Sequence, residues 1–100
     1  MSPRDTSRRL RDIIEAIDAI TAADDAPEAA IRYHLIVIGE AVAGLDDAVR
    51  DAYPEIPWAR IIGLRNELVH AYHRVDSARL ELVVGTHLEE LRVVCEDALR

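Results

Sequence analysis

The side chains best suited to chemistry lie close together between Arg65 and His73. This segment carries a guanidinium at Arg65, an amide at Asn66 and imidazoles at His70 and His73. An imidazole has an ordinary pKa of about 6.5, so it can give or take a proton near neutral pH. A guanidinium presents a rigid fork of donors that matches a phosphate or a carboxylate. These residue types in one short segment suit general acid–base chemistry beside an anionic group.

The same imidazoles raise the question of a metal site. His70 and His73 are three positions apart, and Glu67 precedes His70 by three, so the three side chains fit a divalent ion in principle. The spacing differs from the HExxH pattern of zinc enzymes, and no carboxylate-rich partner segment accompanies it. The single cysteine, Cys95, excludes a cluster of cysteine ligands and is expected to lie in the core. The sequence therefore predicts no bound metal and no cofactor.

These residues belong to a predicted helix that runs from Pro57 to about His73. At about 100° per residue, one arc of this helix is apolar and consists of Trp58, Ile61, Ile62, Leu68, Val69 and Tyr72. Arg65 falls in the middle of that arc. A permanent charge on a core-facing stripe must be paired or must face a polar cavity. Two interpretations stay open, an ion pair with Glu40 and a functional role at a cleft.

A second stripe of the same helix combines small and polar residues, namely Ala59, Gly63, Asn66, His70 and His73. Small residues followed by an amide and two imidazoles indicate close approach by another helix or by a ligand. Arg65 and His70 are five positions apart, which is roughly 140° on a regular helix, so they cannot share the centre of one face. Either the long Arg65 side chain wraps round the helix, or the helix is irregular there, or the two residues meet around a cleft that a second subunit completes. Arg65 and Tyr72 are seven positions apart and share a face.

Three further helices are expected around this one. Apolar residues at steps of three and four predict a first helix, and Asp25 is expected to cap the second. The second helix, which contains Glu40, is apolar nearly all round and should be buried on more than one side. A short connecting helix follows it, and Asp76 should cap a last long helix that continues to Ala98. The predicted fold is all-α, an up-and-down four-helix bundle with a short extra connecting helix, in a single domain over residues 1–100.

Composition limits the classes of protein. The chain has 100 residues, half of them hydrophobic, with four glycines and four prolines, which favours helices over a many-stranded sheet. No apolar run approaches the roughly 20 residues of a membrane span, and the polar N-terminus is unlike a secretory signal. The expected location is therefore the cytoplasm, with no membrane partner.

The net charge of −7 is unlike that of an ordinary nucleic-acid binder, because phosphate binding is driven by basic surface. The distribution is uneven, however. Between Pro57 and Arg79, four arginines stand against two acidic residues. If the protein binds a polyanion, this window is where we expect the contact.

The segment Arg65-Asn-Glu-Leu-Val-His-Ala-Tyr72 has the form R-x4-H-x-Y. It resembles the motif of the HepT-like toxins of the HEPN superfamily. The surroundings agree, namely Val-Ile-Gly-Glu-Ala at 37–41 and Tyr-Pro-Glu-Ile-Pro-Trp at 53–58, and the similarity covers nearly the whole chain in the same order. Two features depart from the family: the chain has no phenylalanine, and Ser77-Ala-Arg-Leu80 stands where many relatives carry an aromatic residue. Both concern packing and leave the motif intact.

The resemblance implies a specific assembly and activity. Proteins of this kind are HEPN-like helical bundles that pair as homodimers, with two R-x4-H motifs facing one cleft. They are metal-independent endoribonucleases and act as the toxin beside a minimal nucleotidyltransferase antitoxin, in a type II/VII-like pair that can assemble into a larger hetero-oligomer. The antitoxin is understood to silence the toxin by transferring AMP from ATP to the motif tyrosine, here Tyr72. Bulk and negative charge from AMP would then exclude RNA phosphate.

The residues suit this implied chemistry. RNA can be cleaved without a metal because its own 2′-hydroxyl is an internal nucleophile. His70 can serve as base or acid, Arg65 can bind the charge that develops on the phosphate oxygens, and Asn66 can hold phosphate or orient His70. Glu40 and His73 are candidates for accessory roles. A two-fold dimer would supply two imidazoles to one cleft, one for each proton transfer.

A binding protein is the alternative to an enzyme. In that interpretation the bundle cuts nothing and docks a nucleotidyltransferase partner, or it binds a nucleotide phosphate through Arg65. Purified protein would then bind its ligand and leave RNA intact, whereas the ribonuclease hypothesis predicts cleavage that His70→Ala abolishes.

Overall fold

The computed structural model of this chain describes residues 3–22 and 25–100, and over this part the protein is all-helical. It consists of α1 (Pro3–Thr21), α2 (Glu28–Ala43), α3 (Asp47–Ala52), α4 (Trp58–His70), a 3-10 turn (Tyr72–Arg74), α5 (Ser77–Thr86) and α6 (Leu88–Leu99). The predicted all-α bundle with a short connecting helix is confirmed, and α3 is that helix. No helix within the described ranges is both long enough and apolar enough to cross a lipid bilayer.

Helix α2 lies at the centre of the bundle. It packs against α1, α4 and α5, which confirms that its nearly all-round apolar surface is buried on more than one side. Helix α6 packs against α1 and α5 and closes the bundle. The fully buried side chains come from several of these helices: Leu10, Ile13, Ile17, Ile38, Val42, Leu68, Val75 and Cys95. Burial of this aliphatic surface is the main favourable contribution to folding.

Gly39 lets α2 and α4 approach each other closely. A methyl group on Gly39 would overlap the Cβ atom of Arg65 and would lie 2.7 Å from its Cγ atom. The sequence pattern had indicated such a close approach at Gly63 instead. Within one chain that expectation is wrong, because no described atom beyond the adjoining backbone of α4 comes within 4 Å of a Cβ placed on Gly63. The outer side of α4 therefore faces open space at this glycine.

The start of α2 differs slightly from the expected one, and the start of α5 agrees with it. Helix α2 begins at Glu28 with Pro27 at its N-cap, so the expected cap at Asp25 is wrong by two positions. Proline suits a helix start because its missing N–H has no partner to lose there. Asp76 does cap α5, as expected: its side chain accepts a hydrogen bond from the backbone N–H of Arg79 at 2.9 Å.

Helix α4 ends earlier than its sequence pattern predicts. The last helical residue is His70, and Ala71 follows with φ −143° and ψ 50°, outside the helical region. Tyr72 then begins the 3-10 turn. The expectation that Arg65 and Tyr72 share one face of a continuous helix is therefore wrong, because the helix that would set their seven-residue spacing stops between them.

The predicted last helix is two helices. The break falls at His87, a turn residue between the two helices whose φ of −107° and ψ of −24° stay in the right-handed helical region. Gly85 and Thr86 precede it, and both have low helix propensity. Leu88, directly after the break, is buried, while His87 is exposed. Downstream, Cys95 is fully buried as expected, and this burial raises the pKa of its thiol to about 12.

Trp58 fixes the start of α4 against α3. Its indole Nε1 donates to the carbonyl oxygens of Arg50 at 3.1 Å and Tyr53 at 3.0 Å, at the end of α3. The side chain is 9% exposed and so acts as a packing anchor. Elsewhere in the bundle, Arg92 donates to Asp18 at 2.7 Å and joins α6 to α1. The first contact fixes the start of α4 against α3, and the second fixes α6 against α1.

Candidate active site

Arg65 reaches from α4 to α2, where it forms an ion pair. Its Nη1 donates to Oε1 of Glu40 across 2.9 Å. The Arg65 side chain is 22% exposed and the Glu40 side chain is 59% exposed, so the pair lies at the rim of the core. The ion pair that the sequence offered as one of two interpretations is present. This pairing explains how a charged residue lies on the apolar arc, and the Arg65 side chain stays partly exposed to solvent.

One carboxylate does not satisfy the whole guanidinium. The Nε of Arg65 is buried and has no hydrogen-bond partner, and Nη2 has none among the described residues. A buried donor without an acceptor costs free energy, and a guanidinium has five donors in a fixed fork. Arg65 therefore keeps donor capacity for a second anion while Glu40 holds it in place.

The other polar residues of the motif face outward. Asn66 and His70 are exposed, one turn apart on α4, and His73 is exposed in the 3-10 turn. None of the three side chains has a hydrogen-bond partner among the described residues. Arg65 turns toward α2 while Asn66 and His70 turn to solvent, as their angular separation predicts. One chain alone does not centre the guanidinium and the imidazole on one face.

Tyr72 lies just beyond the end of α4, and its ring packs on Arg32 of α2. Its side chain is 45% exposed, and the guanidinium carbon of Arg32 lies 4.4 Å from the centre of its ring. Arg32 is 6% exposed and also donates to the carbonyl oxygens of Tyr72 at 3.3 Å and Val75 at 2.6 Å. Arg32 was not among the residues predicted from the sequence. The available signal was its position as the only arginine in α2, a helix that is mostly apolar.

A second ion pair joins the motif to α5. Glu67 accepts two hydrogen bonds from Arg79, at 2.6 Å and 2.9 Å. Hydrogen bonding to Arg79 lowers the pKa of Glu67, and the same pairing raises the pKa of Arg79. Two of the four arginines in the basic window are thus paired with carboxylates, Arg65 with Glu40 and Arg79 with Glu67. The excess positive charge near the motif rests on Arg60 and Arg74, both exposed.

The outer surface of α4 beside the motif is partly apolar. Val69 is 49% exposed, Ile62 is half-buried, and Gly63 faces open space. Exposed apolar area of this kind beside polar residues is typical of a protein–protein contact surface. Gly63 belongs to the stripe that carries Asn66 and His70, and Ile62 and Val69 belong to the apolar arc beside it.

The arrangement does not gather metal ligands. Over residues 3–22 and 25–100, no group of three or more His, Cys, Asp or Glu side chains is placed to hold an ion. Glu67, the carboxylate in the motif, is engaged with Arg79 on α5. His70 and His73 are separated by the non-helical residue Ala71, so they do not keep the spacing of one helix face. The described residues can bind an anion and move a proton at the α4 surface.

Comparison with known proteins gives one consistent result. A family model described as "Ribonuclease HepT-like" matches residues 4–98. A protein of Methanocaldococcus jannaschii named "Putative RNase" is 33% identical over 92% of this chain and 94% of its own length. A second so named in that organism is 38% identical, over 76% of this chain and 75% of its own. The "Probable ribonuclease HepT" of Thermococcus cleftensis is 33% identical, over 83% of this chain and 86% of its own. No solved structure gives a significant match.

Proposed function

Because this chain belongs to the HepT-like ribonuclease family, we propose that it is a metal-independent endoribonuclease and the toxin of a toxin–antitoxin pair in the cytoplasm. The observation that carries the proposal is the hydrogen bonding of Arg65 and the solvent exposure of His70 on α4. Arg65 is anchored by Glu40 yet keeps an available Nη2, and His70 presents an imidazole to solvent at the helix end. An oriented cation and a proton-transfer group are what cleavage by an internal nucleophile requires.

The site is completed by a second copy of the chain. Arg65 and His70 turn to different sides of α4, so one protomer does not bring both to one phosphate. A two-fold axis beside the exposed surface of Val69, Ile62 and Gly63 would place two copies of each group around one groove. It would also bring together the exposed Arg60 side chains of both protomers. The increased positive charge favours RNA binding despite the net charge of −7.

In the proposed reaction the imidazoles of His70 transfer protons and the guanidinium of Arg65 stabilises negative charge. One imidazole takes the proton from the 2′-hydroxyl of RNA, and the 2′-oxygen attacks the neighbouring phosphorus. The phosphorus–O5′ bond breaks, and the other imidazole gives a proton to the leaving oxygen. Arg65 donates hydrogen bonds to the non-bridging oxygens as their charge increases, and Asn66 holds the phosphate or orients His70. Glu40 keeps Arg65 in place, and His73 is an accessory proton carrier at the groove edge.

A nucleotidyltransferase antitoxin silences this site through Tyr72. The phenol oxygen of Tyr72 attacks the α-phosphorus of ATP, the bond from that phosphorus to the oxygen bridging the β-phosphate breaks, and pyrophosphate leaves. The phenolic proton passes to a base or to water. The product carries AMP at the end of α4, where its negative charge repels RNA phosphate and its bulk narrows the groove. The toxin and antitoxin remain associated as a hetero-oligomer.

Induction of the chain in a bacterial host tests the proposal directly. Wild-type chain should stop growth and leave breaks in total RNA, whereas His70→Ala and Arg65→Ala should do neither. All three proteins should show the same helical content and the same oligomeric state. Full toxicity of either variant would refute the assigned roles. Cleavage by the purified protein should also survive EDTA, and strong inhibition that a divalent ion reverses would refute metal independence.

The second candidate function is a binding module, and one observation favours it. Arg65 and Arg79 already have carboxylate partners, so the basic window holds less free charge than its sequence indicates. Such a module would bind ATP or AMP at Arg65, or would dock a nucleotidyltransferase, and would leave RNA intact. Calorimetric titration with ATP, beside an RNA cleavage assay on the same preparation, separates the two. Saturable binding that Arg65→Ala removes, without any cleavage, supports the module.

A further inference from the structure

We propose that Arg32 is a positioning residue that holds Tyr72 in the orientation needed for AMP transfer. The proposal deepens the proposed function and rests on it in one respect, that Tyr72 is the acceptor of AMP. Arg32 lies on α2, forty residues before Tyr72 in the chain, and belongs to no part of the R-x4-H-x-Y motif.

Arg32 joins the two ends of the turn that carries Tyr72. Its Nη1 donates to the Tyr72 carbonyl oxygen at 3.3 Å, and its Nη2 donates to the Val75 carbonyl oxygen at 2.6 Å. Tyr72 begins the 3-10 turn and Val75 directly follows it. One guanidinium therefore fixes the backbone on both sides of the turn. A buried guanidinium is stable only when its donors are paired in this way.

The same guanidinium covers the tyrosine ring. Its Cζ lies 4.4 Å from the centre of the Tyr72 ring, within the range of a cation–π contact. The ring also meets His73 edge-on, with ring centres 6.2 Å apart. Tyr72 is nevertheless 45% exposed, and its phenol oxygen has no hydrogen-bond partner among the described residues. Arg32 thus restrains the ring while the oxygen stays accessible.

Glu28, one turn before Arg32 on α2, holds the Arg32 side chain in place. Its Oε2 accepts from Arg32 Nε at 3.4 Å, and its other oxygen accepts from the hydroxyl of Ser77 at the start of α5. The hydrogen bond from Ser77 lowers the pKa of Glu28, so this carboxylate stays ionised over the physiological range. Glu28 therefore links Arg32 on α2 to the start of α5, the helix that follows the turn.

Orientation matters because AMP transfer is a displacement at phosphorus. The phenol oxygen must approach the α-phosphorus of ATP opposite the departing pyrophosphate, and a misplacement of about 1 Å can cost about a hundredfold in rate. A planar guanidinium can lie flat on a ring and donate to two carbonyls at once. Lysine keeps the charge but has a single point-like ammonium, so it cannot maintain all of these contacts.

Chemical reactivity of the tyrosines tests the proposal without any antitoxin. Nitration by tetranitromethane is followed by peptide mass spectrometry for Tyr72 and, as an internal reference, for exposed Tyr33. In Arg32→Met and Arg32→Lys, nitration of Tyr72 should rise about threefold or more relative to Tyr33, since the ring loses its cover. The matched control is Arg79→Met, which loses a two-bond ion pair with Glu67 and should leave the ratio unchanged. An unchanged ratio in folded Arg32 variants refutes the proposal.

Nuclear magnetic resonance keeps the test decisive if the Arg32 variants do not fold. In the wild-type chain, the side-chain protons of Arg32 should show the upfield shift of protons above a ring. The shift should persist in Tyr72→Phe and disappear in Tyr72→Leu, which changes an exposed side chain. If these protons have ordinary chemical shifts in the wild type, the contact is not kept in solution and the proposal is refuted.

Transfer kinetics supply the functional test. With the nucleotidyltransferase and ATP, Arg32→Lys should lower kcat for labelling of Tyr72 about tenfold, with little change in KM for ATP. Labelling at the wild-type rate would refute the positioning role. If the wild-type chain is not labelled at all, the proposed function fails at Tyr72. Nitration and resonance data would still establish in that case whether Arg32 orients the ring.

Discussion

The side chain of Arg65 on the motif helix α4 packs directly on Gly39 of the central helix α2, which contributes no side chain of its own at this contact. A methyl group at Gly39 would lie 2.7 Å from Cγ of Arg65 and would overlap its Cβ. This contact brings the guanidinium beside Glu40, the residue after Gly39, where the ion pair forms. The small residue in α2 and the charge in α4 are thus two parts of one arrangement.

Gly39→Ala should therefore disturb both stability and activity. The added methyl group forces α2 and α4 apart, and overpacking of this kind costs about 1–3 kcal/mol. We expect the midpoint of urea unfolding to fall, and we expect RNA cleavage to fall with it because Arg65 moves away from Glu40. An unchanged midpoint would contradict the contact.

Gly63→Ala is the matched control for that substitution. A Cβ on Gly63 would meet no described atom within 4 Å beyond the adjoining backbone of α4. Alanine should therefore raise the intrinsic stability of α4 by about 0.5–1 kcal/mol. Sedimentation adds a second readout. If the outer surface of α4 forms the proposed dimer contact, Gly63→Ala should weaken dimerisation. Unaltered dimerisation would indicate that the second copy binds elsewhere.

Glu40→Gln should separate catalysis from folding. Glutamine keeps the shape of the side chain but loses the charge that holds Arg65 Nη1 at 2.9 Å. We expect kcat for RNA cleavage to fall about tenfold, because a less oriented guanidinium stabilises the transition state less well. The affinity for RNA should rise or stay the same, because the Glu40 carboxylate no longer competes with RNA phosphate for Arg65.

Asp18→Asn serves as the control for Glu40→Gln. It breaks the ion pair with Arg92 that joins α1 to α6, away from the motif. Exposed pairs contribute about 0–1 kcal/mol, so a small loss of stability with normal cleavage is expected. Equal effects of the two substitutions on kcat would show that Glu40 has no particular role.

Tyr72→Phe should keep RNA cleavage and abolish modification. Phenylalanine retains the ring that Arg32 covers but lacks the oxygen that we propose as the acceptor of AMP. Co-expression with the antitoxin should then fail to protect the host. Mass spectrometry of the wild-type chain should find AMP on Tyr72, and Tyr33→Phe should leave labelling unchanged. AMP on Tyr33 or Tyr53 would overturn the assignment.

Cys95 should make folding stability depend on pH at the alkaline end. Burial raises the pKa of its thiol from 9.0 to about 12 in the folded chain. The folded state therefore holds this proton more tightly, and its contribution is complete below pH 9 and declines as pH rises toward 12. The difference in unfolding free energy between wild type and Cys95→Ala should fall over that interval. A constant difference would show that the thiol titrates normally.

Much of the fold could be predicted from the chain because the signals are local. Apolar residues at steps of three and four marked the helices, and the all-round apolar character of α2 indicated its central position. The partnership of Arg65 with Glu40 was also accessible, since each is a lone charge in an apolar stretch. Where α4 stops and where the last helix breaks were not accessible. Both fall at single residues, Ala71 and His87, and the alanine at the end of α4 is a residue type that by itself favours continuing a helix.

The sequence by itself determined the helical class, the motif residues and the chemistry that their side chains can perform, because residue type and spacing along a helix carry that information. Only the tertiary structure decided which glycine lets two helices touch, and it chose Gly39 over Gly63. It also brought Arg32 under Tyr72 from forty positions away. Such contacts depend on how helices cross in space, and the periodicity of a single helix does not specify which helices pack against it or at what angle.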